Sequence, residues 1–442
     1  MFSNHLRKSL SYSLSRRFAS AVAANSYDLT IVGGGIVGCA SAREMQTRYP
    51  DMKICVVEKE DILAAHQSGH NSGVIHAGLY YQPGSFKAKL CREGLVKSYE
   101  YFDKHKIPYK KCGKLVVATS EGQLGQLDNI IDRSTKNGVN FEVVDADGIR
   151  QVEPNCRGVR AIHSPDTGIV DWGYVCRFYG KEFQGLGGTV KTNFEVNGIS
   201  SCTNTELGPE YKVTVTSKDG QQVHSKNLIT CAGLYADKVA GISGGTKLPK
   251  IVPFRGDYLL LKPEKCDIVK GNIYPVPDPN FPFLGVHFTP RMDGSVWLGP
   301  NAFLAFKREG YNLTDFSAKE FYDSVTFPGT WKLILKNIMP GIREVSRYAI
   351  MGLQVRELQK FIPAPIFTIN DVTRGPAGVR AQALDDMGNL VDDFIFDSGS
   401  GPLASHTLHI RNAPSPAATS SLAIARVIAE KAEEHFKYTS VE

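Results

Sequence analysis

The sequence lacks three features that would place it in a specialised class of protein. It has no run of about 18 apolar residues, which excludes a membrane-spanning helix and leaves only peripheral contact with a membrane. Its nine cysteines are scattered singly with no CxxC pair, which excludes a zinc or dithiol motif and predicts free thiols in a reducing compartment. No repeat or low-complexity linker interrupts the 442 residues, which have room for two or three domains.

Acidic residues are absent from the first 27 positions, and the first acid is Asp28. The same stretch has seven serines and four bases, namely Arg7, Lys8, Arg16 and Arg17. This composition is typical of a mitochondrial transit peptide, so we expect residues 1–26 to be such a leader rather than a disordered basic tail. Without it, 47 Lys and Arg oppose 45 Asp and Glu, and the formal charge falls from +6 to +2. A nearly neutral chain gives no indication of a nucleic-acid partner.

A dinucleotide-binding pattern occupies residues 28–58. An apolar strand leads into GGGIVG at 33–38, a helical run follows, and a second strand ends at Glu58. The glycines permit a tight turn, close approach to a pyrophosphate and close helix packing, while Glu58 can accept hydrogen bonds from ribose hydroxyls. An empty structural turn is the alternative. We expect an ADP-containing dinucleotide, NAD or FAD, held by Gly33, Gly35, Ile36, Val37, Gly38, Glu58 and Lys59.

Downstream periodicity predicts a mixture of helices and strands. Helices are predicted at 86–104, 121–137, 174–186 and 416–436, and strands at 189–196 and in a hairpin over 211–230. Residues 251–365 are rich in prolines and aromatics, which is typical of an irregular antiparallel sheet, and 378–396 predict one more hairpin.

Three segments carry a family resemblance. They read NSGVIHAGLYY at 71–81, RGPAGVRAQ at 374–382 and NAPSPAAT at 412–419. In this order they resemble the signatures of the FAD-dependent L-2-hydroxyglutarate dehydrogenases, which have the D-amino-acid-oxidase-like flavoprotein fold. The resemblance implies FAD rather than NAD, oxidation of L-2-hydroxyglutarate to 2-oxoglutarate and a mitochondrial location. It also implies a quinone or an electron-transfer protein as electron acceptor, with peripheral contact to the inner membrane from the matrix side.

The fold class that this resemblance implies is α/β plus α+β. A Rossmann-like FAD-binding domain is expected from residues 27–111, 172–247 and 366–436. A discontinuous antiparallel-sheet substrate domain is expected from residues 112–171 and 248–365.

Further cofactor contacts are expected from three places. These are the loop after Glu58, the small-residue turn that begins at Cys231, and the last motif, where Ser415 and Pro416 predict a helix N-cap. Amides at that helix start would face the negative charge of a reduced flavin. We expect non-covalent attachment and no metal, and the candidates are Ser68, Gly69, Asn71, Ser72, Val196, Ala232, Gly233, Asn412, Ser415, Pro416, Ala417 and Ala418.

Oxidation of a 2-hydroxy acid at C2 needs a base for the hydroxyl proton. Imidazole titrates near neutral pH, so His76 and His287 are the candidate bases, although a packed histidine fits His287 equally well. Secondary candidates near the same pocket are His70, His406 and His409.

Carboxylates of the substrate need cationic anchors. Arg255 and Arg380 are the candidates, because a guanidinium donates two parallel hydrogen bonds to a carboxylate. Tyr258 follows Arg255 by three residues and is expected in the same site. A structural ion pair fits Arg255 equally well from its sequence context, and a surface pair with Asp385 or Asp386 is the alternative for Arg380.

Three other functions are compatible with parts of this pattern. An amine or amino-acid oxidase of the same fold also needs an arginine for a carboxylate, so the fold does not separate it from a hydroxy-acid dehydrogenase. A flavoprotein assembly factor without turnover would have no need for charged groups in a pocket. An NAD-dependent dehydrogenase does not account for the flavin-like segments.

Overall fold

The computed structural model describes residues 25–279, 283–312 and 314–438. The four bases of the predicted leader lie outside these residues. Asn25 accepts a hydrogen bond at its carbonyl oxygen from the His224 amide (2.9 Å), and the first strand starts at Ser26. Ser26, the last residue of the predicted leader, thus lies in the first strand, and the cleavage position stays a prediction.

The strands of the described chain form two large sheets and one small sheet. In chain order they are β1 (Ser26–Val32), β2 (Ile54–Val57), β3 (Val74–Ile75), β4 (Tyr109–Lys110), β5 (Lys114–Ala118), β6 (Glu142–Asp145), β7 (Arg160–Ser164), β8 (Gly168–Val170), β9 (Thr189–Lys191), β10 (Val196–Ser201), β11 (Val213–Ser217), β12 (Gln222–Thr230), β13 (Lys250–Leu261), β14 (Asn272–Pro275), β15 (His287–Pro290), β16 (Val296–Gly299), β17 (Phe303–Leu304), β18 (Val372–Leu384), β19 (Ile395–Asp397) and β20 (Thr407–Asn412).

Helices cover the first sheet and form a cluster beside the second. In chain order they are α1 (Ile36–Arg48), α2 (Phe86–His105), α3 (Leu124–Lys136), α4 (Ala146–Val152), α5 (Trp172–Gly185), α6 (Ala236–Ile242), α7 (Ala318–Val325), α8 (Pro328–Lys336), α9 (Ile338–Ala349), α10 (Met351–Leu358) and α11 (Ser421–Phe436).

The first sheet is the nucleotide-binding one, with the order β10–β11–β12–β1–β2–β9 and with β20 and β19 beside β12. Leu29 and Ile31 of β1 pack in the same apolar cluster as Ile424 and Ile428 of α11, which buries one face of the sheet. Because β1 is parallel to both β2 and β12, the carboxyl ends of these three strands meet at one edge. Ligands of open α/β sheets bind at such an edge, and the predicted glycine turn lies there.

The second sheet has the order β17–β13–β16–β15–β14–β5–β7–β6, with β18 along β13. Its strands pair antiparallel except for β14 and β5, which are parallel. The predicted fold class is confirmed. The domain boundary at 366 is wrong, however, because β18 pairs with β13 over its whole length and so belongs to the second sheet.

Several predicted elements need correction. Residues 189–196 are not one strand, because β9 ends at Lys191, Asn193 turns the backbone with φ +55°, and β10 begins only at Val196. The hairpin predicted over 378–396 is shorter than expected. The chain reverses at 385–389, where Leu384 bridges Leu390 antiparallel, whereas β19 at the far end pairs with β20. The second half of 251–365 holds helices α7 to α10 instead of strands.

Other predictions are confirmed. Helix α2 covers the predicted 86–104, and β11 and β12 form the predicted hairpin around Gly220, which has φ +88°. All nine cysteines are free thiols. Within the described part of the chain, no helix has the length and apolar character needed to cross a bilayer.

Candidate active site

The glycine turn between β1 and α1 leaves space beside one glycine and none beside two others. A Cβ on Gly33 would lie 2.4 Å from the Cys231 carbonyl oxygen, and a Cβ on Gly38 would lie 2.0 Å from the Gly33 carbonyl oxygen. These two glycines therefore allow strand and helix to pack closely. A Cβ on Gly35 would meet only Ser68 Oγ, at 3.3 Å, so this backbone faces open space that suits a diphosphate.

Helix α1 begins after Gly35 without a side-chain cap on that residue and without an acid in its first turn. The Ile36 amide donates a hydrogen bond to Ser68 Oγ (2.8 Å), and Val37 follows in the same turn. The positive end of the helix macrodipole is thus left for an anion, as the predicted diphosphate contact requires.

Glu58 lies against the glycine turn and is buried. Its Oε2 accepts a hydrogen bond from the Gly34 amide (2.6 Å), and its Oε1 accepts one from the Glu60 amide (3.0 Å). An ionised carboxylate has about four lone-pair sites, so two remain for ribose hydroxyls. Together with Gly35 and Ser68, this arrangement fits the adenosine half of FAD.

Lys59 points away from that arrangement. Its Nζ lies 2.8 Å from Glu309 Oε2 and 2.7 Å from His66 Nε2, and it also pairs with Glu60. The Lys59 ammonium is therefore engaged in an ion-pair cluster with Glu60, His66 and Glu309. The Lys59 side chain therefore does not face the cofactor, and a cofactor contact of the Lys59 backbone stays a prediction. The same ammonium contacts all three members of the His66, Glu60 and Glu309 group.

The loop after Glu58 is held in place by its own side chains. Asn71 Nδ2 donates to the carbonyl oxygens of Gln67 (3.0 Å) and Ser68 (2.8 Å), so Asn71 shapes the loop instead of presenting its amide to a ligand. A Cβ on Gly69 would lie 2.6 Å from the Ala64 carbonyl oxygen, which explains the glycine by packing. Ser72 lies within hydrogen-bond reach of the Tyr274 side chain.

The turn after β12 lies beside the glycine turn, at the same edge of the first sheet. Ala232 precedes Gly233, which has φ +50° and whose added Cβ would lie 3.0 Å from Gln67 Oε1. The turn therefore contacts the loop after Glu58. Val196 begins β10, on the outer side of β11 in the first sheet.

The last motif differs from its prediction. Helix α11 begins at Ser421, and residues 414–420 form turns in which the Ala417 amide donates to the Pro414 carbonyl oxygen (3.0 Å). Ser415 is therefore no helix cap, and Pro416, Ala417 and Ala418 lie in the turns before the helix. Asn412 donates from Nδ2 to the Val391 carbonyl oxygen (2.8 Å) and to that of Asp393 (2.9 Å), which makes it a structural residue.

His76 lies next to a buried lysine that the sequence did not single out. Lys114, the first residue of β5, is 2% exposed, and its Nζ lies 3.4 Å from His76 Nδ1. The same Nζ lies 4.3 Å from the centre of the Tyr274 ring. Burial lowers the pKa of Lys114 to about 8, and burial followed by the Lys114 charge lowers the pKa of His76 well below its ordinary value.

His287 faces the same group of residues. Its ring stacks on Tyr274 with centres 3.9 Å apart, and its Nδ1 lies 2.8 Å from the Gly285 carbonyl oxygen. A carbonyl oxygen accepts only, so Nδ1 carries the proton and Nε2 carries the lone pair. Burial, aided by the charges of Lys114 and Arg380, lowers the pKa of His287 to about 3, so the ring is neutral.

Arg380 and Tyr258 complete this group. The guanidinium has one hydrogen bond within the described chain, from Nη1 to the Asn301 carbonyl oxygen at 3.4 Å, and forms no ion pair there. Burial lowers the pKa of Arg380 and raises the pKa of Tyr258, and the two side chains interact electrostatically. A Cβ added to Gly378 would lie 2.9 Å from the His70 carbonyl oxygen, so β18 packs closely against the loop after Glu58.

Arg255 does not join the group. Its Nε and Nη2 donate to the two carboxylate oxygens of Asp257 (2.9 and 2.6 Å), and Nη1 donates to the Gly310 carbonyl oxygen (3.1 Å). The guanidinium is thus engaged by Asp257, as the structural ion-pair alternative expects, although Arg255 lines one cavity together with Tyr258.

The three secondary histidines are also structural. His70 stacks on Tyr311 with ring centres 4.0 Å apart. His409 is held between Thr230 Oγ1 (2.9 Å) and Ser243 Oγ (3.0 Å), and His406 Nδ1 lies 3.1 Å from Asn227 Oδ1. The last two contacts belong to the first sheet and its helices, away from Lys114.

Comparison with known proteins first shows the class of protein to which this fold belongs. Residues 28–431 match the model of the family described as FAD dependent oxidoreductase. L-α-glycerophosphate oxidase from Mycoplasma pneumoniae, solved with FAD bound, superposes with a TM-score of 0.74 at 21% identity over 94% of this chain and 96% of that one. Glycine oxidase from Geobacillus kaustophilus gives a TM-score of 0.66 at 14% identity over 94% and 96%. The fold is that of the FAD-dependent oxidoreductases.

Curated relatives narrow the class. Mitochondrial L-2-hydroxyglutarate dehydrogenase of Nematostella vectensis is 56% identical over 417 residues, which cover 93% of this chain and 91% of that protein. The Homo sapiens enzyme of the same name is 52% identical over 418 residues, which cover 93% and 90%. The chain therefore belongs to the L-2-hydroxyglutarate dehydrogenase family of FAD-dependent oxidoreductases. The predictions of family, enzyme class and FAD are confirmed, and the relatives' mitochondrial names agree with the predicted leader.

Gly35→Ala tests the cofactor fit. The added methyl group would project into the space left for the diphosphate while meeting the protein only at Ser68 Oγ. We expect FAD affinity to fall about tenfold or more, with the thermal midpoint of the apoprotein changed by less than about 2 °C. Fluorescence titration of apoprotein with FAD, with thermal denaturation in parallel, measures both. Undiminished FAD affinity would place the diphosphate elsewhere.

Proposed function

We propose that this protein oxidises L-2-hydroxyglutarate to 2-oxoglutarate between its two sheets. The observation that carries the proposal is a pair of cations that both act on His287. Lys114 is buried, whereas Arg380 is partly buried and interacts electrostatically with the buried Glu344 carboxylate. Neither cation forms a direct ion pair with a carboxylate of the described residues. Buried unpaired charge is costly. Two such charges fit a ligand with two carboxylates, which is what L-2-hydroxyglutarate carries.

The same observation disfavours the nearest rival. An amino acid or a secondary amine such as sarcosine has one carboxylate, and its nitrogen brings a positive charge. Such a ligand would leave one of the two cations without a carboxylate and add a third positive charge, whereas a dicarboxylate neutralises both.

The histidines have separate roles in this proposal. The lone pair on His287 Nε2 takes the proton of the substrate hydroxyl, because Nδ1 is committed to the Gly285 carbonyl oxygen. The two substrate carboxylates would offset the Lys114 and Arg380 charges, which contribute to the low pKa of the unliganded ring, and so would make His287 a stronger base. His76 Nδ1 accepts a hydrogen bond from the Lys114 ammonium and so holds that ammonium in place. FAD, when bound, supplies the hydride acceptor for C2 at its N5.

Tyr258 and Arg380 position the substrate in the same account. Both side chains come from neighbouring strands, β13 and β18, which pair directly. Since Arg380 has one long hydrogen bond to the protein, its remaining donors are left for a carboxylate. The Tyr258 hydroxyl stays protonated because burial raises its pKa, and it can donate to the substrate.

The cellular setting belongs to the same proposal. We place the protein on the matrix side of the inner mitochondrial membrane, with electrons passed to a quinone or an electron-transfer protein. The acid-free basic leader and the mitochondrial names of the relatives support this location.

Anaerobic flavin reduction tests the assignment directly. We expect L-2-hydroxyglutarate to bleach the flavin absorbance near ~450 nm, and the D enantiomer, glycine and sarcosine to leave it within about 5% of its starting value over the same time. Stopped-flow absorbance without oxygen makes the comparison. Bleaching by the amines alone would assign the protein to the amine oxidases.

The Lys114 charge predicts a pH dependence. The pKa of Lys114 is lowered to about 8, so its protonated, anion-binding form is lost as pH rises through that value. We expect the Kd of 2-oxoglutarate, followed by the flavin spectrum, to rise about tenfold per pH unit above about pH 8. Lys114→Arg removes the rise because a guanidinium stays charged. A flat profile in the parent protein up to about pH 9.5 would contradict the role.

A further inference from the structure

Helix α9 turns its apolar residues outward. Ile338, Ile342 and Val345 are 51%, 55% and 54% exposed, whereas the residue that this helix buries is Glu344, at 4%. Glu344 accepts hydrogen bonds from the Ala302 amide (3.1 Å) and from Arg347 Nη1 (2.6 Å). A helix on a globular protein normally buries its apolar stripe and exposes its charges. Here the order is inverted, which indicates that another apolar phase covers the stripe.

The stripe extends onto the neighbouring helices. The outer face, as we name it, consists of residues that are each at least 51% exposed, namely Tyr322, Trp331, Leu335, Ile338, Met339, Ile342, Val345 and Ile350. Residues 331 and 335 are four apart on α8, and residues 338, 342 and 345 are four and three apart on α9, which places each set on one side of its own helix. Contiguous apolar patches of this kind mark interaction sites.

Charge around the outer face is positive. Residues 318–358, which span the helices of the outer face, contain six bases and four acids, a difference of two, and one of the acids is the buried Glu344. The bases are Lys319, Lys332, Lys336, Arg343, Arg347 and Arg356. Basic residues beside exposed Trp and Tyr are typical of helices that lie in the interface of an anionic bilayer.

We propose that the outer face docks in the plane of a bilayer that contains anionic phospholipid. The membrane-crossing alternative does not apply, since none of the described helices is long and apolar enough to span a bilayer. An acidic protein partner would satisfy the bases but would not need eight exposed large apolar side chains.

Docking here would bring lipid close to the active site. The inner sides of α9 and α10 contribute Arg347, Tyr348, Met351 and Gln354 to a cavity of about 230 Å³ that Tyr258 also lines. An electron acceptor dissolved in the membrane would therefore meet the protein on the side nearest Tyr258. The docking deepens the proposed location at the inner membrane, and this consequence rests in addition on the proposed activity.

Vesicle flotation of the holoenzyme tests the surface. We expect the protein to float with vesicles of phosphatidylcholine and cardiolipin, and Ile338→Glu/Ile342→Glu to reduce the bound fraction at least tenfold. The matched control Val96→Glu/Val143→Glu replaces two residues that are 50% and 47% exposed elsewhere and should bind as the parent does. Equal binding by the outer-face variant, or no binding by the parent protein, would overturn the proposal.

Two further readouts separate the possible failures. Anaerobic flavin reduction by L-2-hydroxyglutarate should be unchanged in both double variants, so loss of flotation is not loss of the active site. Light scattering reports mass in solution, and a parent dimer that Ile338→Glu/Ile342→Glu makes monomeric without any vesicle binding would assign the face to a second copy of the chain.

Trp331 provides a direct optical probe. It is 53% exposed, whereas Trp172 is 2% exposed, so bilayer contact should shift the emission of Trp331 to shorter wavelength and brominated lipid should quench it. Trp331→Phe should remove both signals. If the emission of Trp331 does not change when vesicles are added, although the protein floats with them, the contact lies on another surface and the proposal is contradicted.

Discussion

Positive charge that Lys114 and Arg380 hold around His287, with no direct ion pair to a carboxylate of the described residues, is the constraint on which this structure depends. Lys114 begins β5, Arg380 lies in β18 and His287 begins β15, so one sheet holds all three. The first sheet contributes the glycine turn, and the loop that follows Glu58 connects the two halves through Gly378 and the His70 carbonyl oxygen. Such a site is more stable when the carboxylates of a ligand pair with its positive charges, so ligand binding completes the electrostatics of the site.

Local features of the site could be predicted from the sequence. The glycine turn, the acid after β2 and the hairpin of β11 and β12 are all specified by residues close together in the chain. Arg255 could have been interpreted better, because residues i and i+2 of a strand point to the same face and Asp257 is its natural ion partner. Proline at the start of the last motif suggested a helix, yet the chain makes turns there first and begins α11 at Ser421.

Features that arise from tertiary packing could not be predicted in this way. Lys114 has the appearance of a polar residue at a strand end, and it is buried only because β5 lies between β14 and β7. The apolar spacing of Trp331, Leu335 and Ile338 is visible in the sequence, but periodicity does not tell which side of a helix faces the protein. Glu344, buried where an apolar residue is expected, shows that the stripe points outward.

The most direct test of the central claim is a double-mutant cycle between the protein and its ligand. Calorimetry would compare 2-oxoglutarate with 2-oxobutyrate, which lacks the second carboxylate, in the parent holoenzyme and in Lys114→Met. The account predicts that the parent protein prefers the dicarboxylate about 100-fold or more and that the preference falls below about fivefold in the variant. A preference that survives the loss of the Lys114 charge would contradict it.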